Sequence, residues 1–164
     1  MGCRYQQFYG YYGAKEMSNV AYSDASFDND RKVAGWGVVI DKGVKTTSAS
    51  NWLPCEDVNY AELFAIYEAG ILLGGSGIVY TDSQTAIDYI EGRIRDNKPR
   101  THEQYIRHMQ KKVLAYKINK LHLEVRKIKA HTKNMKLEEL NNNDADIHAK
   151  RGLAKYYARK LQER

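Results

Sequence analysis

Hydrophobic and polar positions change period several times along the chain, and each change marks an element. Apolar residues leading into Asp24 predict a strand over Val20–Asp24, followed by a polar loop at Phe27–Lys32. Gly35–Ile40 and Val44–Ser50 predict two further strands joined by a tight turn at Asp41-Lys42-Gly43, giving an antiparallel meander. Past Pro54 the spacing becomes helical: Leu63, Ile66, Tyr67, Gly70 and Ile71 form one stripe, which stops at Gly74-Gly75. Ile78–Asp82 is a fourth strand, and a helix over Ser83–Ile90 starts with Ser83 or Asp82 as its cap. Gly92–Arg100 is a basic linker closed by Pro99. Thr101 and Gln104 then form a capping box for a helix carrying Ile106, Met109, Val113 and Tyr116 on one side. Alternating Leu121, Leu123 and Val125 predict a fifth strand over Leu121–Lys129. A polar loop, His131–Asn143, precedes a last helix from about Asp144 with Ala145, Ala149, Leu153 and Tyr156 inward.

The resulting order, βββ-α-β-α-α-β-α, constrains the topology. A strand–helix–strand crossover returns in parallel and right-handed, so the first and fourth strands lie side by side. Their sequences echo each other, Tyr22-Ser23-Asp24 and Tyr80-Thr81-Asp82, which brings the two aspartates to one end of the sheet. In open α/β sheets ligand sites lie at the carboxyl ends of strands.

Length and composition narrow the class. At 164 residues, one domain over 18–164 is expected, burying roughly two thirds of its unfolded surface, with residues 1–17 as a Tyr/Gly-rich leader. No apolar run approaches the roughly 20 residues of a membrane span, and the N-terminus lacks the apolar core of a signal peptide. Cys3 and Cys55 form neither a CxxC nor a metal spacing, so a reduced protein of the cytoplasm or another intracellular compartment is expected. The net charge of +6 is unevenly spread. From Val20 to Asn97 there are 6 Lys+Arg against 12 Asp+Glu; from Lys98 to Lys136 there are 12 against 2. An acidic segment beside a basic one suits a metal centre flanked by a polyanion-binding surface, or a Lys-rich solvated helix face.

Two more carboxylates join the strand-end pair: Glu62 in the first turn of the first helix and Asp146 in the first turn of the last. Singly, each of the four has an ordinary explanation, as turn aspartate, cap or partner of the helix dipole. Together in one crevice they would repel one another unless divalent cations neutralised them. Oxygen-only ligation points to Mg²⁺ or Mn²⁺ rather than zinc or copper. Two such ions about 4 Å apart are the usual device of in-line phosphodiester chemistry.

These residues carry a resemblance. From about Val20 to Leu161 the chain resembles type 1 ribonuclease H, with YSDAS and AGWGVVI, then NYAEL, YTDSQ, KIKAH and the ADIHAKRG run in that family's order. The resemblance implies an α/β ribonuclease H-like fold: a mixed five-stranded sheet, three antiparallel strands then two parallel, flanked by about four helices. It implies a monomeric endoribonuclease, off the membrane, that cuts the RNA strand of RNA–DNA hybrids with two Mg²⁺, Mn²⁺ substituting. Asp24, Glu62, Asp82 and Asp146 would be the catalytic metal ligands, with Asp144 competing for the last place. His131 would handle water or proton transfer and product release, as its near-neutral pKa suits. Asn59, Gln84 and Ser26 would contact substrate, with RNA told from DNA by its 2′-hydroxyls. Departures are also visible: Val58 stands where the family usually has a second asparagine, Phe27–Lys32 replaces a Gly-rich loop, and Gly92–Arg100 is the only candidate for a basic handle. The Lys-rich helix Thr101–Lys117 and strand Leu121–Lys129 are expected to supply phosphate contacts instead. Rival readings are a resolvase- or integrase-like nuclease and a non-catalytic hybrid-binding module. The early Glu62 disfavours the first; the second predicts a missing carboxylate, and none is missing.

Overall fold

The computed structural model describes residues 19–43, 45–128 and 137–164. The expected leader and the candidate His131 lie outside the described residues. Strands β1 (Val20–Asp28), β2 (Val33–Asp41) and β3 (Thr46–Pro54) form the expected meander. Helix α1 (Val58–Leu72) crosses to β4 (Ser76–Thr81), which lies parallel to β1. Helices α2 (Gln84–Ile90) and α3 (His102–Asn119) lead to β5 (His122–Lys127), parallel to β4, and α4 (Leu137–Gln162) follows. The sheet order is β3-β2-β1-β4-β5.

β1 runs four residues past its expected end. Its hairpin with β2 pairs through Asp28↔Val33, and the Asp28 carboxylate accepts backbone N–H bonds from Asp30 and Arg31, both 3.0 Å, which turns the chain locally. Asp24 is therefore paired with Gly37 on one side, while the described pairing with β4 stops at Tyr22↔Tyr80. That offset opens a notch in the sheet beside Asp24. The turn before β3 needs a positive φ at Gly43 (79°) and is tied by its N–H to the Asp41 carboxylate at 2.8 Å.

Alternate residues of β2 enter different layers. Trp36, Val38 and Ile40 join Leu63, Ile66 and Ala69 of α1 and Leu114 and Ile118 of α3 in the main core. Val39 and Tyr22 face the opposite way, toward Ala145 of α4. α4 lies very close to the sheet. A Cβ at Gly37 would run into the backbone of Ala145 and Ala149, and one at Gly35 into Ala149 and Leu153; Gly152 in turn rests on Asn51.

Two expectations need correction. The last helix begins at Leu137, not near Asp144, so the asparagine run read as loop is helical, with Asn141 and Asn142 buried. In α3, Ile106, Met109, Val113 and Tyr116 do share a side, but it is the exposed one. The inward side presents His108, Lys111, Leu114, Ala115 and Ile118. Its polar members are satisfied by distant partners: Lys111 bonds Asp57 at 2.6 Å, and His108 bonds Tyr89 at 3.0 Å and Asp96 at 2.8 Å.

Candidate metal centre

The register that pairs Tyr22 with Tyr80 also aligns the two sequence echoes, so Asp24, within β1, and Asp82, just past the end of β4, stand at matching heights. Glu62 reaches the same notch from α1. The helix is started by Asp57, whose carboxylate accepts the N–H groups of Asn59 (2.7 Å) and Tyr60 (3.2 Å), and Glu62 lies on the buried face with Leu63 and Ile66. One carboxylate oxygen from each of Asp24, Glu62 and Asp82 falls within 4.8 Å of the others.

This is an electrostatically unfinished arrangement. Burial, then the charges of Asp24 and Asp82, push Glu62 up to about 9. Burial and Asp82 push Asp24 up to about 7, opposed by a backbone bond from Ala25 and reinforced by Asp146. Glu62 Oε2 is buried with no hydrogen-bond partner. An orphaned carboxylate oxygen amid other carboxylates fits a hard divalent cation.

Asp146 lies within hydrogen-bonding reach of Asp24, brought there by the close seating of α4. It is not one of the three oxygens that converge; its Oδ2 is bonded to Lys150 Nζ at 2.7 Å. Asp144 is exposed, with its charge felt by His148.

The expected substrate residues are spread around the notch. Ser26 lies two residues along β1 from Asp24, opposite Gly35, half-buried. Gln84 opens α2, exposed, but its amide is engaged by Asp88 at 2.9 Å. Asn59 lines a cavity of about 630 Å³ together with Thr85, Arg93, Arg95, Lys98, Arg100, Arg107 and Lys111. The cavity is built by the Gly92–Arg100 linker folding onto α3. Asp96 bonds both His108 and Lys112 at 2.8 Å, and Arg100 donates to the carbonyls of Arg95, Asp96 and Lys98. His108, Asp96 and Lys111 went unnoticed in the sequence. Their only local signal was that polar residues fall at helical spacing opposite an apolar stripe.

A mixed sheet in the order β3-β2-β1-β4-β5, with carboxylates just past the point where the described parallel pairing of β1 and β4 stops, defines the ribonuclease H-like fold. The sequence matches the RNase H family model over residues 16–154, and the chain belongs to that family. No curated protein sequence matches it. Among solved structures it is similar to RNase H1 from the halophilic archaeon Halobacterium salinarum, at 18% identity and a TM-score of 0.56, over 83% of this chain and 97% of that one. The N-terminal RNase H domain of a Mycobacterium tuberculosis protein gives 17% identity and a TM-score of 0.55, over 86% and 96%. LC11-RNase H1, solved in complex with an RNA/DNA hybrid, gives 20% identity and a TM-score of 0.54, over 84% and 98%. Among the described residues no helix is long and apolar enough to cross a membrane.

Proposed function

We propose that residues 18–164 act as one monomeric catalytic unit that hydrolyses the RNA strand of RNA–DNA hybrids at the Asp24–Glu62–Asp82 centre. The observation that carries this reading is the convergence of three carboxylate oxygens within 4.8 Å, one of them on a glutamate that has a buried, unpartnered oxygen. Such a cluster holds its charge only with a cation bound. Asp24, Glu62 and Asp82 would hold the ions, two Mg²⁺ with Mn²⁺ as substitute, and Asp146 would complete the ligand set from α4. Divalent ions held there would supply Lewis acidity toward the scissile phosphate and a more acidic water.

The protein's own residues would orient the substrate. Asn59, Gln84 and Ser26 would contact the RNA strand; Gln84 would exchange its bond to Asp88 for one to a 2′-hydroxyl or base edge. His131 would relay protons and help product leave. Affinity would come mainly from phosphate contacts by the basic cavity and α3, which carry no sequence information. The test is a labelled hybrid incubated with Mg²⁺ and, separately, with EDTA. Cleavage of the RNA strand in Mg²⁺ alone is expected; an intact RNA strand in Mg²⁺ overturns the reading.

A further inference from the structure

Three carboxylates converge; the fourth, Asp146, touches Asp24 and is paired with a lysine. Asp146 and Lys150 are one helical turn apart on α4, with Oδ2 and Nζ 2.7 Å apart. The ammonium charge also reaches Asp24, which lies against Asp146. We infer that Lys150 is a resident counter-ion of the centre: it engages one oxygen of Asp146 and competes with the metal for that carboxylate. The inference rests on the proposed metal site and assigns to Lys150 a positioning role rather than contact with the reacting atoms.

The energies make the competition workable. Both side chains are well exposed, 65% for Lys150 and 42% for Asp146. An ion pair so exposed contributes on the order of 0.2–1 kcal/mol. A divalent ion, or a phosphodiester offering Lys150 another anion, displaces it easily. Without metal the pair lessens the crowding of negative charge beside Asp24; at Glu62 the opposing contact is a backbone bond from Ala25. Lys150 thus tempers the half of the site that faces solvent and leaves the buried half to the metal.

The test is Mn²⁺ binding to the full-length protein, measured by calorimetry in the absence of nucleic acid. Lys150→Gln is expected to tighten Mn²⁺ binding by roughly two- to fivefold, the factor that corresponds to a surface ion pair. Lys150→Arg, which keeps the pair, should leave it near the wild-type value. Arg151→Gln removes a cation from the next position without touching Asp146 and controls for charge acting through space. An unchanged affinity in Lys150→Gln, or an equal gain in Arg151→Gln, overturns the inference. Failure of the functional reading looks different: Mn²⁺ would still bind, with the same ranking of variants, while hybrid RNA stayed uncut.

Discussion

The acidic notch and the basic cavity are neighbours, and they handle charge in opposite ways. In the cavity, charges are matched from within. Lys111 has Asp57, Asp96 has His108 and Lys112, and Arg100 is held by three carbonyls. In the notch, Glu62 and Asp24 are both buried, both pushed far above the usual carboxylate range, and closest to other carboxylates. Paired charge shapes a wall; unpaired charge of one sign waits for a ligand. The contrast separates residues that build the site from residues that use it.

Breaking the unpaired side should have the largest effect on activity. Asp82→Asn is expected to lower hybrid cleavage by about three orders of magnitude or more, since several kcal/mol of charge stabilisation depend on the ions it would hold. Hybrid binding in EDTA should stay largely intact, because phosphate contacts supply it. Equal loss of cleavage and binding would make Asp82 a structural residue.

Stability against pH sharpens the same contrast. The folded pKa values of Asp24 and Glu62 lie above their unfolded values of 3.8 and 4.5, at about 7 and about 9. The folded state thus binds more protons, and their contribution to stability is fully present below about pH 4 and is lost as pH rises through 7 and then 9. Thermal unfolding in EDTA should show a Tm that falls between pH 5 and pH 9. Mg²⁺ should flatten that decline. A Tm in EDTA that holds level over this range would mean that the two carboxylates are not perturbed.

The paired side should give a smaller effect, and one on folding rather than metal. Asp57→Ala removes the cap of α1 and leaves Lys111 buried without its partner. A loss of about 2–4 kcal/mol is expected in urea unfolding, combining a lost cap with an unpaired buried cation. Mn²⁺ affinity of the protein that remains folded should be unchanged.

The sequence disclosed this asymmetry only in part. The notch was legible because its signals are local: two segments carrying the same Tyr-hydroxyl-Asp pattern, and a glutamate one residue from a core leucine. Strand pairing then did the assembly. The Asp146 position was legible from motif order, although the start of its helix was not; Asn141 and Asn142 are poor helix formers that mimic a loop, and burial in α4 overrides their propensity. The cavity was hidden because its bonds span long separations, such as Asp57 to Lys111. Periodicity found the apolar stripe of α3 but not its direction, since the opposite side buries a lysine and a histidine whose partners lie elsewhere in the chain.

The seam between α4 and β2 sets a limit on how this protein can be improved. Replacing glycine by alanine in an accommodating backbone commonly stabilises a protein by about 0.4–1 kcal/mol. At Gly35, Gly37 and Gly152 the added methyl would have to lift α4 off the sheet, because the obstacles are backbone atoms rather than side chains that can swing aside. Asp146 directly follows Ala145, whose carbonyl is one of the obstacles at Gly37. A methyl group at Gly37 would shift that carboxylate away from Asp24 without altering a single acidic residue.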